Sequence, residues 1–267
     1  MIDYARLYRE DGYFVVDDAV DRSMLAALRK ALGRVADKVR SGVVVEHDDR
    51  IETGGAGVEP HIVSGLQAPE YGEPVFSDYL VCEPLQRYVR LIVGERQRLG
   101  WVVGFASTRI AGYHCPWHRD TGGKDRGLEG EAEMEVLRTH RRNMVKFHLA
   151  LERDPCLWIV PGSHARLRTR EELDAIGSGE LVDLANAVQI DLAPGQTVFW
   201  DSNTIHRGLA GEGLPERWNL TGSLVRHEDD REELDRRFAW RLADYVREGL
   251  PPASLPLYDN WRWSVNG

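Results

Sequence analysis

Hydrophobic and polar positions alternate in two rhythms along this 267-residue chain, helical towards its ends and strand-like between them. Tyr13 to Val16 is a short β-favouring run after Gly12 and predicts a strand. Leu28, Leu32, Val35 and Val39 recur at helical spacing, so Asp21 to Gly42 reads as a helix, with Asp21 or Ser23 to cap it and Gly42 to end it. Residues 43–75 are polar, carry glycine and proline, and read as a long loop. Pro84 to Val93 is a second helix, proline suiting its first turn and Gly94 its end.

From residue 101 short strands take over. Trp101 to Ala106 and Thr108 to Ile110 come first. Residues 121–143 interrupt them with several glycines and many charges, and only Glu131 to His140 has the composition of a short helix. In Val145 to Leu151 the odd positions Val145, Phe147, Leu149 and Leu151 share one face, and Lys146, His148 and Ala150 the other. Cys156 to Val160 is an apolar strand closed by Pro161-Gly162-Ser163-His164, and Thr169 to Ile176 a polar helix. Ala187 to Leu192 and Gln196 to Trp200 are strands joined through Pro194-Gly195. Arg217 to Val225 alternates again, with Trp218, Leu220, Gly222 and Leu224 opposite Arg217, Asn219, Thr221 and Ser223. Asp230 to Gly249 reads as a charged amphipathic helix, and the tail from Leu257 to Val265 is aromatic. Many short strands between terminal helices predict a mainly β fold. We expect a jelly-roll barrel with N-terminal and C-terminal helical buttresses. No repeat or linker divides it, so residues 1–267 are read as one domain.

Composition narrows the partners. A 42% hydrophobic content supports a sizeable core, and a net charge of −9 without a long basic run argues against nucleic acid. No run of about 18 apolar residues is present, so no membrane span is expected, and the N-terminus lacks a signal pattern. Three scattered cysteines without a Cys-x-x-Cys pair fit a reducing compartment, and a cytoplasmic location is the expectation. Oligomeric state is left open by the sequence.

The chemistry gathers around residues 113–123, which contain His118-Arg119-Asp120. In an extended strand, residues i and i+2 share a face, so His118 and Asp120 offer two thirds of a 2-His-1-carboxylate triad for non-haem Fe(II). Alone, the same dipeptide spacing also describes an ordinary histidine beside an ordinary aspartate. His206 follows a strand and a polar turn and is the candidate for the second histidine. Eleven residues later Arg217 opens a strand whose Asn219, Thr221 and Ser223 make a polar face. A guanidinium there is the expected anchor for a dicarboxylic ligand.

Several stretches resemble the phytanoyl-CoA dioxygenase family of Fe(II)- and 2-oxoglutarate-dependent oxygenases: Asp11 to Asp18, Trp117-His118-Arg119-Asp120, Cys156 to His164, and Pro194-Gly195 with the strand to Trp200. The resemblance implies a double-stranded β-helix (a cupin-like barrel), iron on His118, Asp120 and His206, and 2-oxoglutarate on Arg217. It also implies O₂ as co-reactant, help from ascorbate in vitro, and release of succinate and CO₂ as a small molecule is oxidised. Hydroxylation is the default outcome, with cyclisation or desaturation possible at the same site. The chain departs from the family at His148, where many members carry an aromatic residue, and at Gly208, where Ser or Thr is frequent. Lys146 and His148 are therefore the candidates, by strand parity, for secondary contacts to 2-oxoglutarate.

Trp117, His61 and Asn143 are candidate substrate contacts, against the plainer readings of packing for Trp117, a surface loop for His61 and a turn for Asn143. His164 reads as a turn histidine capping its own loop. The glycines and acids of 121–143 suggest a mobile lid with few close contacts, favouring a cationic ligand; the plainer reading is a solvated surface excursion. The acidic balance favours a free polar or amine-bearing natural-product intermediate over a CoA thioester. The competing class is a redox-silent jelly-roll protein that binds a metal or ligand, which has no need of Arg217. Halogenation is disfavoured by Asp120, because family-like halogenases carry a small residue there.

Overall fold

A computed structural model describes residues 2–43, 51–53, 60–107, 114–140, 143–210, 216–228 and 236–265. Its elements run α1 (Tyr4–Asp11), β1 (Tyr13–Val16), α2 (Arg22–Arg40), β2 (Ile51–Thr53), β3 (Pro60–Ser64), α3 (Val75–Val81), α4 (Glu83–Val93), β4 (Gln97–Ser107), β5 (His114–His118), α5 (Glu131–Thr139), β6 (Met144–Ala150), β7 (Asp154–Ile159), α6 (Arg170–Ser178), β8 (Val188–Leu192), β9 (Thr197–Asp201), β10 (His206–Leu209), β11 (Arg217–Arg226), α7 (Asp244–Glu248) and α8 (Leu255–Val265). The strands form two antiparallel sheets, ordered β1-β9-β6-β11-β4-β3-β2 and β5-β10-β7-β8. This is the double-stranded β-helix, a jelly roll flanked by helices, as the alternating strands predict. Among the described residues no helix is long and apolar enough to cross a membrane.

Alternation decides what goes where. Val145, Phe147 and Leu149 of β6 and Trp218, Leu220 and Leu224 of β11 join one large core with helix residues such as Leu28, Leu32, Tyr79 and Val89. A smaller cluster, including Leu157, Ile190, Val198 and Trp200, bridges the two sheets. α2 starts at its Asp21 cap, which accepts from the Met24 N–H at 2.8 Å, and Gly42 follows its end at φ 67°.

Several expectations are corrected. The stretch 43–75 is not all loop: β2 and β3 lie in it, and β3 pairs with β4 through Ile62↔Phe105. Two short helices, α1 and α3, went unread. The long helix expected over Asp230 to Gly249 is broken. A 3-10 segment spans Arg236–Leu242, Ala243 turns extended at ψ 150°, and only then does α7 begin. The indole of Trp240 sits directly over Gly65, so tertiary packing overrides helical composition. Thr108 to Ile110 lies outside the described residues.

Candidate metal and cosubstrate site

His118 ends β5, His206 opens β10, and the antiparallel register sets them opposite one another. Their ring centroids are 4.3 Å apart. Each Nδ1 lies against a main-chain carbonyl two residues back: His118 to Pro116 at 2.7 Å, His206 to Thr204 at 2.9 Å. Nδ1–H donates in both, which leaves each Nε2 lone pair for a ligand and fixes both rings.

Asp120 joins them by a different route from the one its spacing suggested. β5 stops at His118, and Asp120 lies in the bend beyond, where its N–H donates to the Ser202 carbonyl at 2.9 Å. The turn between β9 and β10 thus holds the carboxylate and delivers His206. Asp120 Oδ1 lies 3.7 Å from His118 Nε2, and Oδ2 lies 3.4 Å from His206 Nε2. One ligand atom from each residue falls within 4.8 Å of the others, the sole such cluster of three among the described residues.

The electrostatics suit a cation. Burial, then the neighbouring His118, pushes the His206 imidazole down to about 3, so it stays neutral. Burial also pulls on His118, but Cys115, with Sγ 3.8 Å from Nδ1, and Asp120 outweigh it and leave that imidazole raised. Burial of Asp120 is overridden by Lys146 and the two histidines, which hold its carboxyl far below the usual range. The side chain of His118 keeps 33% of its surface exposed against 6% for His206, so the cluster opens on the His118 side. Two imidazole nitrogens and one ionised carboxylate on one side of a centre are the donor set of a facial Fe(II) site.

Lys146 points inward from β6, and its ammonium bonds Asp120 Oδ2. It sits 4.7 Å from the Trp200 ring and 5.3 Å from Trp101. It therefore belongs to the metal corner. His148, the next inward residue, belongs to a second cluster built on Asp154. Asp154 Oδ2 meets Arg217 Nε at 3.0 Å, His148 Nε2 at 3.1 Å and Asn219 Nδ2 at 2.5 Å, while Oδ1 accepts from the Cys156 N–H at 2.9 Å. Burial is the largest single influence on the Asp154 carboxyl, but the Arg217 charge, His148 and the Cys156 N–H together outweigh it and hold it well below its ordinary value. The Arg217 guanidinium lies 4.2 Å over the Phe105 ring.

His61 is not on a surface loop. It lies in β3 with its ring edge-on to Phe105 at 5.7 Å, and burial followed by the Arg217 charge lowers it to about 4. Trp117 packs beside the histidines and is 1% exposed. It has the opposite parity to His118, its Nε1 donates to Val182 O at 2.8 Å, and Arg207 stacks on it at 4.6 Å. Asn143 sits in the turn entering β6, where its carbonyl accepts from the Arg226 N–H at 2.7 Å. His164 reaches beyond its own loop: Nε2 meets the Arg9 main-chain carbonyl at 3.1 Å and so fastens α1.

The segment after Asp120 is likewise not loosely held. Glu133 is 1% exposed, and its Oε1 accepts from Arg119 at 2.6 Å and Arg168 Nε at 2.9 Å. Arg119 also donates to the carbonyls of Ser163 and Arg166, and Asn203 to those of Leu137 and His140. The acids expected to stay in water because burial is costly include one that burial has paired. Asp154, Arg119 and Arg168 were missed. The inward polar face with Arg217 was the available signal, because a buried guanidinium demands a carboxylate.

The phytanoyl-CoA dioxygenase (PhyH) family model matches residues 8–213, most of the chain. The chain belongs to this family. It is an enzyme of the Fe(II)- and 2-oxoglutarate-dependent dioxygenase class, and the donor set above fits that iron. Similar solved structures include EctD from S. alaskensis with 2-oxoglutarate and 5-hydroxyectoine, at TM-score 0.66 and 20% identity over 94% of this chain and 85% of that one. AviO1 from Streptomyces viridochromogenes Tue57 superposes at TM-score 0.59 and 18% identity over 83% and 93%. The non-haem α-ketoglutarate-dependent carbocyclase SnoK from nogalamycin biosynthesis does so at 0.58 and 21% over 84% and 83%. At these identities the likeness is one of fold. No curated protein matches the chain in sequence.

Proposed function

We propose that this PhyH-family dioxygenase oxidises a small polar or amine-bearing molecule, hydroxylation being the default outcome, within a single domain spanning residues 1–267. His118, Asp120 and His206 would hold the iron, and Arg217 the distal carboxylate of 2-oxoglutarate. The observation that carries this reading is that both clusters lie on the inward face of the same barrel, linked by neighbouring inward residues Lys146 and His148 of β6. When bound, iron and 2-oxoglutarate would activate O₂, the oxidant, one oxygen atom going to succinate as CO₂ leaves and the other to the substrate. The chain's own part is to orient. The Pro116 and Thr204 carbonyls fix both imidazoles, Ser202 fixes Asp120, and the Lys146 ammonium bonds Asp120 Oδ2 and keeps that carboxylate ionised. Trp200 and Trp101 around Lys146 keep bulk water from that corner. Cyclisation remains an alternative outcome, since a carbocyclase shares the fold.

The test is succinate formation in air with Fe(II), ascorbate and 2-oxoglutarate against a panel of amines, polyols and CoA thioesters. His206→Ala should abolish substrate-stimulated succinate while leaving the circular dichroism spectrum unchanged. Metal binding without any 2-oxoglutarate turnover would favour the redox-silent class instead.

A further inference from the structure

We propose that Asp154, supported by His148, is a positioning residue that aims Arg217 at the cosubstrate; this rests on the reading of Arg217 as the 2-oxoglutarate anchor. Asp154 takes the Nε–H of Arg217 at 3.0 Å, and Phe105 lies against one face of the guanidinium at 4.2 Å. A planar group held at Nε and on one face has lost its rotation about the side chain. Its terminal nitrogens form the opposite edge, the fork that matches a carboxylate.

Only a carboxylate can hold it so. Oδ2 of Asp154 faces three donors, on Arg217, His148 and Asn219, and Oδ1 faces a fourth, the Cys156 N–H. An asparagine of the same size must turn its NH₂ towards one of those two groups of donors, whichever way it is flipped. The geometry also fixes His148. Its Nε2–H donates to Asp154, and in a neutral ring Nδ1 is then the acceptor, facing the Thr221 hydroxyl at 2.8 Å, closer to that hydroxyl than Asn219 Oδ1 at 3.2 Å. Burial, opposed by Asp154, leaves that imidazole lowered and therefore neutral.

The charge count separates positioning from simple neutralisation. Arg217 and Asp154 cancel, and a neutral His148 adds nothing. Asp154→Asn leaves a net positive charge beside the anchor. If Asp154 served only to neutralise, its loss would tighten binding of the 2-oxoglutarate dianion. If it aims the guanidinium, its loss weakens binding despite the added attraction.

The experiment uses the full chain loaded with Ni(II) in place of iron, with 2-oxoglutarate binding measured by calorimetry. Asp154→Asn should weaken 2-oxoglutarate by about tenfold or more, as for loss of one charge-assisted hydrogen bond, with Ni(II) affinity unchanged. Imidazole ¹⁵N spectra, assigned with His148→Gln, should show neutral His148 protonated at Nε2 in the parent chain. Unchanged or tighter 2-oxoglutarate binding in Asp154→Asn overturns the proposal, as does an Nδ1–H tautomer at His148. If Asp154→Asn does not fold, Asp154→Glu takes its place: the charge is kept but the oxygens move, so 2-oxoglutarate binding should weaken, and unchanged binding overturns the proposal. Arg217→Met keeps the two readings apart. If it leaves 2-oxoglutarate binding unchanged, the anchor itself is wrong. If it weakens binding while Asp154→Asn does not, the anchor stands and the positioning role falls.

Discussion

Replacing Glu133 by Gln should destabilise this protein by several kcal/mol, about 3–5 for a broken buried ion pair. Its carboxylate is 1% exposed and faces Arg119, fully buried at the side chain, and Arg168, at 4%. One oxygen accepts Arg119 Nη1 at 2.6 Å, Arg168 Nε at 2.9 Å and the Arg168 main-chain N–H at 3.1 Å. Asp125 is the remaining acid of the cluster, 3.4 Å from Arg168. Glutamine keeps the shape but leaves two buried guanidinium groups sharing one carboxylate. Breaking a buried pair by removing one partner costs about 3–5 kcal/mol, a large share of the ~5–15 kcal/mol that a folded domain holds.

For a chain of this size, each kcal/mol lowers the melting temperature by roughly 2–4 °C, so a drop of ~6–20 °C is expected. Thermal and urea unfolding of the metal-free protein measure it, with Glu131→Gln as the control. Glu131 pairs with Arg138 on the surface, where water and salt screen the pair, so that variant should melt with the parent. The same contacts predict that limited proteolysis spares residues 121–139 without any substrate. A melting temperature for Glu133→Gln within about 2 °C of the parent, clear of the ~6–20 °C drop expected here, would refute the idea that this cluster pins the segment.

Arg217→Ala should raise the Michaelis constant for 2-oxoglutarate far more than that for the primary substrate, by about 2–5 kcal/mol for a buried charged contact; equal effects on both would contradict the anchor. Stability of the metal-free chain should fall as pH drops from about 6.5 towards 5, because unfolded imidazoles protonate near 6.5 while His206 and His61 are held at about 3 and about 4. The unfolded chain binds more protons in that window, so a melting temperature flat between pH 7 and 5 would count against those two shifts. Thr169→Ala should cost about 1 kcal/mol in urea unfolding, since Thr169 caps α6 in a reciprocal box with Glu172; no change would mean that Arg166 and Asn186, which also hold Glu172, carry that corner.

The parts of this fold that were legible in the sequence are those set by a period. The faces of β6 and β11 follow from alternation alone, because a strand buried on both sides must sort its residues by parity. His118 and His206 followed from residue type beside strands. What escaped is held by contacts distant in sequence. β3 is five residues long and gains its strand state from pairing with β4, not from its own pattern. Asp120 reached the site from a bend whose hold, the Ser202 carbonyl, is far away in the chain. Arg119 stands between His118 and Asp120 in the sequence, which says nothing of its partners. It is the bolt that ties the turn carrying Asp120 to Ser163 and Arg166 after the Pro-Gly-Ser-His stretch.

Stability and chemistry occupy opposite faces of the same strands, and Gly222 puts that division to a test. It lies in β11 between inward Thr221 and Ser223, and it pairs with Phe147 of β6 and Val102 of β4. On its outward side a Cβ would stand 2.5 Å from Phe147 Cζ and 2.9 Å from the Trp101 carbonyl oxygen. Neither neighbour yields easily. Phe147 is fully buried, with Tyr79 edge-on at 6.0 Å, and the second obstacle is main chain. Gly222→Ala should therefore cost about 1–3 kcal/mol by overpacking. The strain falls on the helix side of the sheet, whereas Thr221 and Ser223 face His148 and Lys146 across it. Urea unfolding should shift while calorimetric binding of Ni(II) and 2-oxoglutarate holds at the parent values. If binding weakens as much as stability falls, the two faces are mechanically coupled and the barrel interior is not insulated from its core.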